Sequence, residues 1–407
     1  MKKARNFFKN SPFVVKILIG VIAGVLFGLW VPGIGFASIF GDLFVGALKA
    51  IAPILVFILV ISSLSKAGNG HGRRFGNIIA FYLSTTFLAA AVATVFSFVF
   101  RVTVPLEAES QENAPTNLGE VFGVLLNNMV MNPLKAMIEN NYIGILMWSV
   151  VIGIAFRMVA SDKTKEMLED VADAVSKTVS YVISFAPLGI FGLVFKTVHE
   201  YGIEIFKSYG KLLLVLVVCM LTVSLVVNPV IAGVALKRNP YPLLFMCLRE
   251  SGLTAFFTRS SAANIPVNMK LCEKLGLDKE YYSVAIPLGA TINMNGAAIT
   301  ITVMSLSAAF SQKIEINIFF AILLSFVATL GACGASGIAG GSLLLVPMAC
   351  SLLNVSQDVA MQVVAVGFII GIVQDSFETA LNSSGDVFFC ATAEFMEWQK
   401  KGKQLPF

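Results

Sequence analysis

Charge is scarce in this sequence. Of 407 residues, 13% are Asp, Glu, Lys or Arg, against 57% hydrophobic, and the mean hydropathy is +0.83. Soluble domains carry about a quarter charged residues, so that class is excluded. Histidine is scarcer still: His71 and His199 lie far apart in predicted loops, which leaves little for a metal centre or for His-based catalysis. The six cysteines stand singly with no C-x-x-C pair, and read as small buried hydrophobes, not as disulfide partners or zinc ligands. The glycine-rich GNGHG at 68–72 has no βαβ unit around it, so a nucleotide loop is excluded too. A net charge of +5 is explained by anionic headgroups better than by nucleic acid, which is not an expected partner.

What the chain has instead is long apolar runs, repeated often enough to predict an all-α polytopic membrane protein. They fall at about 13–33, 40–65, 76–103, 119–160, 170–197 and 209–236. The fourth is too long for one straight helix and is punctuated by Asn127, Asn128, Asn132, Pro133, Asn140 and Asn141, so shorter helices are expected there. The basic start MKKARNFFKN leads into an apolar run from Pro12 to Trp30 with no small-residue cleavage site closing it, which predicts a retained first helix. The basic stretches KAGNGHGRRFGN, ALKRNPYP and QKKGK fall on the same side as that start when the runs are threaded alternately, and the acidic PLEAESQENAP falls opposite. By the positive-inside rule both termini are cytoplasmic.

Beyond residue 240 the pattern changes. The segment 242–257 is apolar but short, breaks at TRSSAANIP and is followed by a second short arm; 317–333 does the same, breaking at GASGIAGGS before an arm through Leu353. Arms of this length suggest re-entrant hairpins. Each precedes a long apolar helix, and each helix carries a polar stretch, Asn293-Met294-Asn295-Gly296 in one and Asn382-Ser383-Ser384-Gly385 in the other. Hairpin, helix, hairpin, helix reads as an inverted repeat, with the helices interrupted at matching positions, which is the sequence pointer to a transporter's binding site.

The second of these helices contains QDSFETALNSSGD, residues 374–386. Asp375, Glu378, Thr379, Asn382 and Asp386 share one helical face. One acidic residue at the bilayer centre costs about 2.5–3.5 kcal/mol, so three facing lipid would cost roughly 8–10. They must face protein or a wet cavity, unless this stretch is the helix's polar cytoplasmic end, which the apolar VFFCATA that follows argues against. In TINMNGAA, the asparagines serve either helix–helix hydrogen bonding or an unwound turn beside Gly296 whose oxygens suit a hard cation such as sodium. The tip TRSSAANIP offers hydroxyls and amide donors for an anionic group. Arg259 beside it is either an internal counter-ion to the carboxylates or a snorkelling cation.

With these motifs the chain resembles the dicarboxylate/amino acid:cation symporter family, the glutamate transporter homologues, over nearly its whole length and most specifically between 250 and 390. Within the family it looks most similar to sodium-coupled serine/threonine symporters. The resemblance implies eight transmembrane helices plus two re-entrant hairpins, assembled as a homotrimer in the cell inner membrane. It implies scaffold helices in 1–75 and 105–200, and transport-domain helices in 76–104 and 205–240. The transport core would be 241–407, moving as an elevator with the second hairpin as extracellular gate.

Carried over residue by residue, the resemblance gives Asp375 the substrate ammonium, and Asn382 with the backbone around Ser260 and Ser261 the α-carboxylate. Thr379, Gly337 and Ile338 complete the substrate site, with Glu378. Asp386 would ligate sodium, joined by carbonyls near Asn293 and Asn382. Thr291 with the carbonyls of Ala332, Cys333 and Ala335 would form a second sodium site, and Tyr82, Thr85, Thr86, Asn293 and Asn295 a third. Two departures stand out. Members that carry acidic amino acids have an Arg where this chain has Glu378, and a carboxylate there repels an acidic substrate. The third sodium site has an Asp where this chain has Asn295, which weakens that site and leaves the sodium count open.

The expected function is therefore sodium-coupled import of small neutral amino acids, serine and threonine foremost, and not an enzymatic reaction. A channel lined by the 375–386 face is the other membrane reading, disfavoured by paired hairpins around a closed site. A hydrolase using Ser260 or Ser261 lacks a base, since Arg259 cannot act as one.

Overall fold

The computed structural model describes residues 13–30, 36–66, 73–106, 126–335 and 340–406. Among these every regular element is helical, as hydrocarbon demands of any segment that must satisfy its own backbone. Helices α1 (Phe13–Trp30), α2 (Ala37–Lys66) and α3 (Arg73–Phe100) match the first three apolar runs. The fourth is broken as expected over its described part, into α4 (Pro133–Ile138) and α5 (Tyr142–Val159). Its asparagines act as caps: Asn132 accepts from the Leu134 and Lys135 amides and Asn141 from that of Gly144, which ends one helix's orphan donors and starts the next.

The fifth run begins earlier than its apolar part. Ser161 caps α6 (Asp162–Ser184), whose first half is charged, and α7 (Ala186–Tyr201) follows at an angle of 52°. The bend sits where Pro187 in the first turn of α7 supplies no backbone donor. Helix α8 (Ile205–Thr222) runs through a wide turn, Val223–Val227, into α9 (Asn228–Leu236). Pro229 cannot donate to the carbonyl of Leu225 four residues back, and the Tyr241 hydroxyl donates to that carbonyl instead, at 3.0 Å. Six described segments are long and apolar enough to span a bilayer, seven if α6 and α7 count as one.

The first hairpin is built as the sequence suggests. Its first arm is α10 (Tyr241–Cys247), a wide turn and α11 (Leu253–Thr258); the chain reverses at Arg259, in the left-handed region at φ 51°, and returns as α12 (Ser261–Lys274). The next helix is indeed interrupted: α13 (Lys279–Ile292) and α14 (Asn295–Ser311) are separated by Asn293 and Met294, neither helical. Of the second hairpin, the described residues give α15 (Ile318–Ala332) as the first arm and, as the returning arm, a 3-10 helix Gly341–Leu345 leading into α16 (Val346–Leu352). At about 1.5 Å per residue, α15 is roughly 22 Å long, short of a 30 Å hydrocarbon core.

The matching interruption at 382–385 is not there: α17 runs unbroken from Gln357 to Lys400. Each polar residue has a reason to stay helical. Ser384 donates to the Ala380 carbonyl one turn back, Ser383 is held by two asparagine amides of α12, and Asn382 accepts from the Gly296 amide. Gly385 provides room rather than a break, since a Cβ there would lie 2.9 Å from the Asn293 amide nitrogen.

The helices pack in two groups. Helices α1, α2, α5, α6 and α7 pack on one another, while α3 and α8 to α17 surround α14 and α17. Between α2 and α7 the approach is close enough that a Cβ on Gly192 would meet the Gly41 amide at 2.4 Å, the small-residue packing favoured where lipid supplies no hydrophobic drive. Across the groups, Lys49 of α2 pairs with Asp358 of α17 and Ser63 of α2 donates to the Cys333 carbonyl at 3.0 Å.

Candidate substrate and sodium site

The 375–386 face looks into protein. Asp375, Glu378, Thr379, Asn382 and Asp386 are 4, 6, 5, 3 and 0% exposed, and α17 stays buried through Phe395, so the stretch is the middle of the helix and not its polar end. The break between α13 and α14 and the reversal of the first hairpin converge on it.

At the hairpin reversal, Ser260 is extended and caps α12 by accepting from the Ala263 amide at 3.2 Å. Ser261 is buried in the first turn of α12, whose N-terminal end carries the positive end of the helix dipole. Arg259 Nη1 lies 3.9 Å from Asp375 Oδ2, which selects the counter-ion over the snorkelling cation. Asp375 Oδ1 accepts from the Gly340 amide at 3.3 Å, whereas Oδ2 has no hydrogen-bond partner. Asn382 Oδ1 is taken by the Gly296 amide at 2.7 Å, and its amide donates to the weak acceptor Met294 Sδ at 3.4 Å. Thus an underused carboxylate oxygen and an underused amide donor stand about two turns apart on one buried face. Gly337 and Ile338 lie outside the described residues.

The helix break brings together a second set. The Asn293 amide donates to Asp386 Oδ1 at 2.9 Å and to the Asn382 carbonyl at 3.1 Å. Tyr82 of α3 donates to the Asp386 carbonyl at 3.0 Å. Asp386 Oδ2 and Asn293 Oδ1 are buried without hydrogen-bond partners, two acceptors of the kind a hard cation takes. Thr85 and Thr86 donate to Asn295 Oδ1 at 3.4 and 2.9 Å, leaving Asn295 Nδ2, a donor, without a partner. A buried unpartnered donor suits a cation poorly. Near the second hairpin, Cys333 Sγ lies 3.8 Å from the Ile292 carbonyl, which brings Cys333 to the end of α13, one residue beyond Thr291 in the chain. The Thr291 hydroxyl donates to the Leu288 carbonyl, leaving its lone pairs for another donor or a cation. Among the described residues no group of three His, Cys, Asp or Glu side chains is placed to hold a metal ion, so a cation here would rest on single carboxylates with amide, hydroxyl and carbonyl oxygens.

Several residues of this region escaped the sequence reading. Gly289 is one: a Cβ there would lie 2.8 Å from both Asp386 Oδ1 and the Tyr82 hydroxyl. Another group is Ser251, Asn264, Asn268 and Ser383, all buried. The Asn264 amide donates to Ser383 Oγ at 2.7 Å, Asn268 to the same oxygen at 3.0 Å, and Ser251 to Asn268 Oδ1 at 2.5 Å, pinning both arms of the first hairpin to α17. The third is Gln374 and Thr300, which with Ser342 surround Glu378. The spacing of Asn264 and Asn268, one turn apart on a helix otherwise carrying few buried polar groups, was a readable signal; the Gly289 contact was not.

A broken helix, two hairpins and a buried polar face inside a multi-pass membrane protein define a membrane carrier with a central site. The sodium:dicarboxylate symporter family model matches residues 13–395, and the chain belongs to that family. It is similar to the serine/threonine transporter SstT of Bifidobacterium adolescentis, 55% identical over 402 residues that cover 98% of this chain and 94% of the relative. It is also similar to the proteins of that name from Streptococcus thermophilus and Streptococcus agalactiae. Both are 52% identical over 98% of this chain and the whole of the relative.

Proposed function

We propose that this chain imports small neutral amino acids, serine and threonine foremost, by coupling their passage to sodium influx. Supporting this are the membership of a sodium symporter family and the relatives named for serine and threonine transport. The observation that carries it is the pair Asp375 and Asn382. Asp375 Oδ2 has no hydrogen-bond partner, and Arg259 stands 3.9 Å from it, with the Asn382 amide engaged only by a thioether. An ammonium would take the carboxylate, and the α-carboxylate would take the Asn382 amide and the amides opening α12 at Ser260 and Ser261. Thr379 lines the same face, and position 378 contributes no cation to recognise an acidic side chain. The chemistry selects a zwitterion with a neutral side chain.

Sodium in this reading is a co-substrate. Asp386 Oδ2 with Asn293 Oδ1 and the Asn382 carbonyl form its first site, and Thr291 with carbonyls of Ala332, Cys333 and Ala335 a second. A third around Tyr82, Thr85, Thr86 and Asn295 is weakened by the amide where a carboxylate would serve. The group of α1, α2 and α5 to α7 acts as scaffold, and that of α3 and α8 to α17 as the moving transport domain. The assembly is a homotrimer in the inner membrane with both termini cytoplasmic. Asp375→Asn tests the ammonium assignment. The variant folds, and its serine binding, measured by calorimetry in sodium, falls below detection; normal affinity contradicts the assignment.

A further inference from the structure

Glu378 is the one carboxylate of the 375–386 face that the proposed substrate and sodium sites do not need, and it is the most heavily engaged. Its Oε2 accepts from the Thr300 hydroxyl at 2.7 Å, the Ser342 hydroxyl at 2.9 Å and the Gln374 amide at 2.5 Å. The Gln374 amide also donates to the Thr300 hydroxyl at 2.8 Å. All four residues are buried. Three donors from three elements converge on that one oxygen, and losing it would leave the buried Thr300 and Ser342 hydroxyls without their acceptor. The backbone agrees. A Cβ on Gly296 would lie 2.8 Å from both Glu378 Cα and its carbonyl oxygen, so α14 presses on α17 at this residue, with Thr300 one turn further along the same helix.

Each donor comes from a different piece. Thr300 belongs to α14 beyond the break, Gln374 to α17 one turn before Glu378, and Ser342 to the returning arm of the second hairpin. We infer that Glu378 is a positioning residue. It ties the returning arm of the second hairpin to α14 and α17 through Ser342, Thr300 and Gln374, and it does not contact the transported amino acid. This rests on the transport reading above and departs from the expectation that Glu378 lines the substrate. Neighbouring Asp375 accepts from the Gly340 amide, so substrate and hairpin arm are read by adjacent turns of one helix: Asp375 by charge, Glu378 by seating the arm. A variant that loses the seat should still bind the right amino acid while cycling slowly.

The test compares Glu378→Gln, Ser342→Ala and Thr300→Val, with Thr300→Ser as the conservative rescue, in proteoliposomes and by hydrogen exchange. Expected are a loss of maximal serine uptake of roughly tenfold in Glu378→Gln, the scale of one lost buried link, and a serine-to-alanine preference within about twofold of the parent. The double variant Glu378→Gln/Ser342→Ala is no worse than Glu378→Gln alone, because both remove the same link. Thr300→Ser restores what Thr300→Val loses. Amide exchange over 340–352 rises in Glu378→Gln whatever the chain transports, so this readout survives if serine proves the wrong substrate. A changed serine-to-alanine preference, a gain of aspartate uptake, or additive losses would overturn the inference by placing Glu378 on the substrate. If Glu378→Gln does not fold, Ser342→Ala and Thr300→Val decide, and normal maximal uptake with normal exchange in both overturns it.

Discussion

Replacing Gly289 by alanine should weaken sodium activation while leaving serine recognition alone. The added Cβ would lie 2.8 Å from Asp386 Oδ1, 3.0 Å from its Cγ and 2.8 Å from the Tyr82 hydroxyl. Carbon and oxygen do not approach that closely, so something must move by about half an ångström. Tyr82 is fully buried and donates to both the Ala285 and Asp386 carbonyls, which leaves the Asp386 carboxyl as the softer neighbour. Overpacking of a tight site costs about 1–3 kcal/mol, a factor of roughly 5 to 150 if all of it opposed sodium binding. Part of that cost falls on the folded chain with or without the ion. A rise in the half-saturating sodium concentration of about fivefold, toward the low end of that range, is therefore expected. The assay is initial serine uptake against external sodium, with the serine KM measured at saturating sodium. If the variant folds and its sodium curve overlays the parent's, or if the serine KM moves while the sodium curve does not, the placement of sodium at Asp386 is refuted.

Asn295→Asp exchanges an unpartnered buried donor for a carboxylate oxygen beside Thr85 and Thr86. The sodium dependence of serine uptake should become steeper, and an unchanged slope counts against a weakened third site. Ser383→Ala removes the hydroxyl that receives the amides of Asn264 and Asn268, leaving Asn264 with Ser251 and Asn268 as acceptors and Asn268 with the Ser383 carbonyl, at a cost of about 0.5–1.5 kcal/mol. Thermal unfolding in detergent should shift down, and an unshifted midpoint would mean the first hairpin is not held there.

The fold was legible where physics acts along the chain. Long apolar runs and the short arms flanking TRSSAANIP each announce their structure locally, and so did the break at Asn293, where two amides flank a methionine before a glycine. What misled was symmetry. Asn382-Ser383-Ser384-Gly385 has the composition of a break, yet its side chains bond to α12, to the Gly296 amide and to their own preceding turn, and the helix continues. Whether a polar residue breaks a helix depends on partners that only the tertiary structure supplies. The site divides the same way. That Asp375 and Asp386 face protein was readable because a charge in a membrane helix demands a protected place, and Asn382 shares their face. Gly289 and Ser342 were not, because a clearance and a hydroxyl bond to a helix some 36 residues away leave no local pattern.

Serine accumulation in proteoliposomes under an inward sodium gradient tests the central claim most directly. Serine should rise above its external concentration with sodium outside, stay at equilibrium with potassium or choline in its place, and collapse when a sodium ionophore dissipates the gradient. Excess threonine should compete and excess glutamate should not. Uptake indifferent to sodium, or displaced by glutamate, would contradict it.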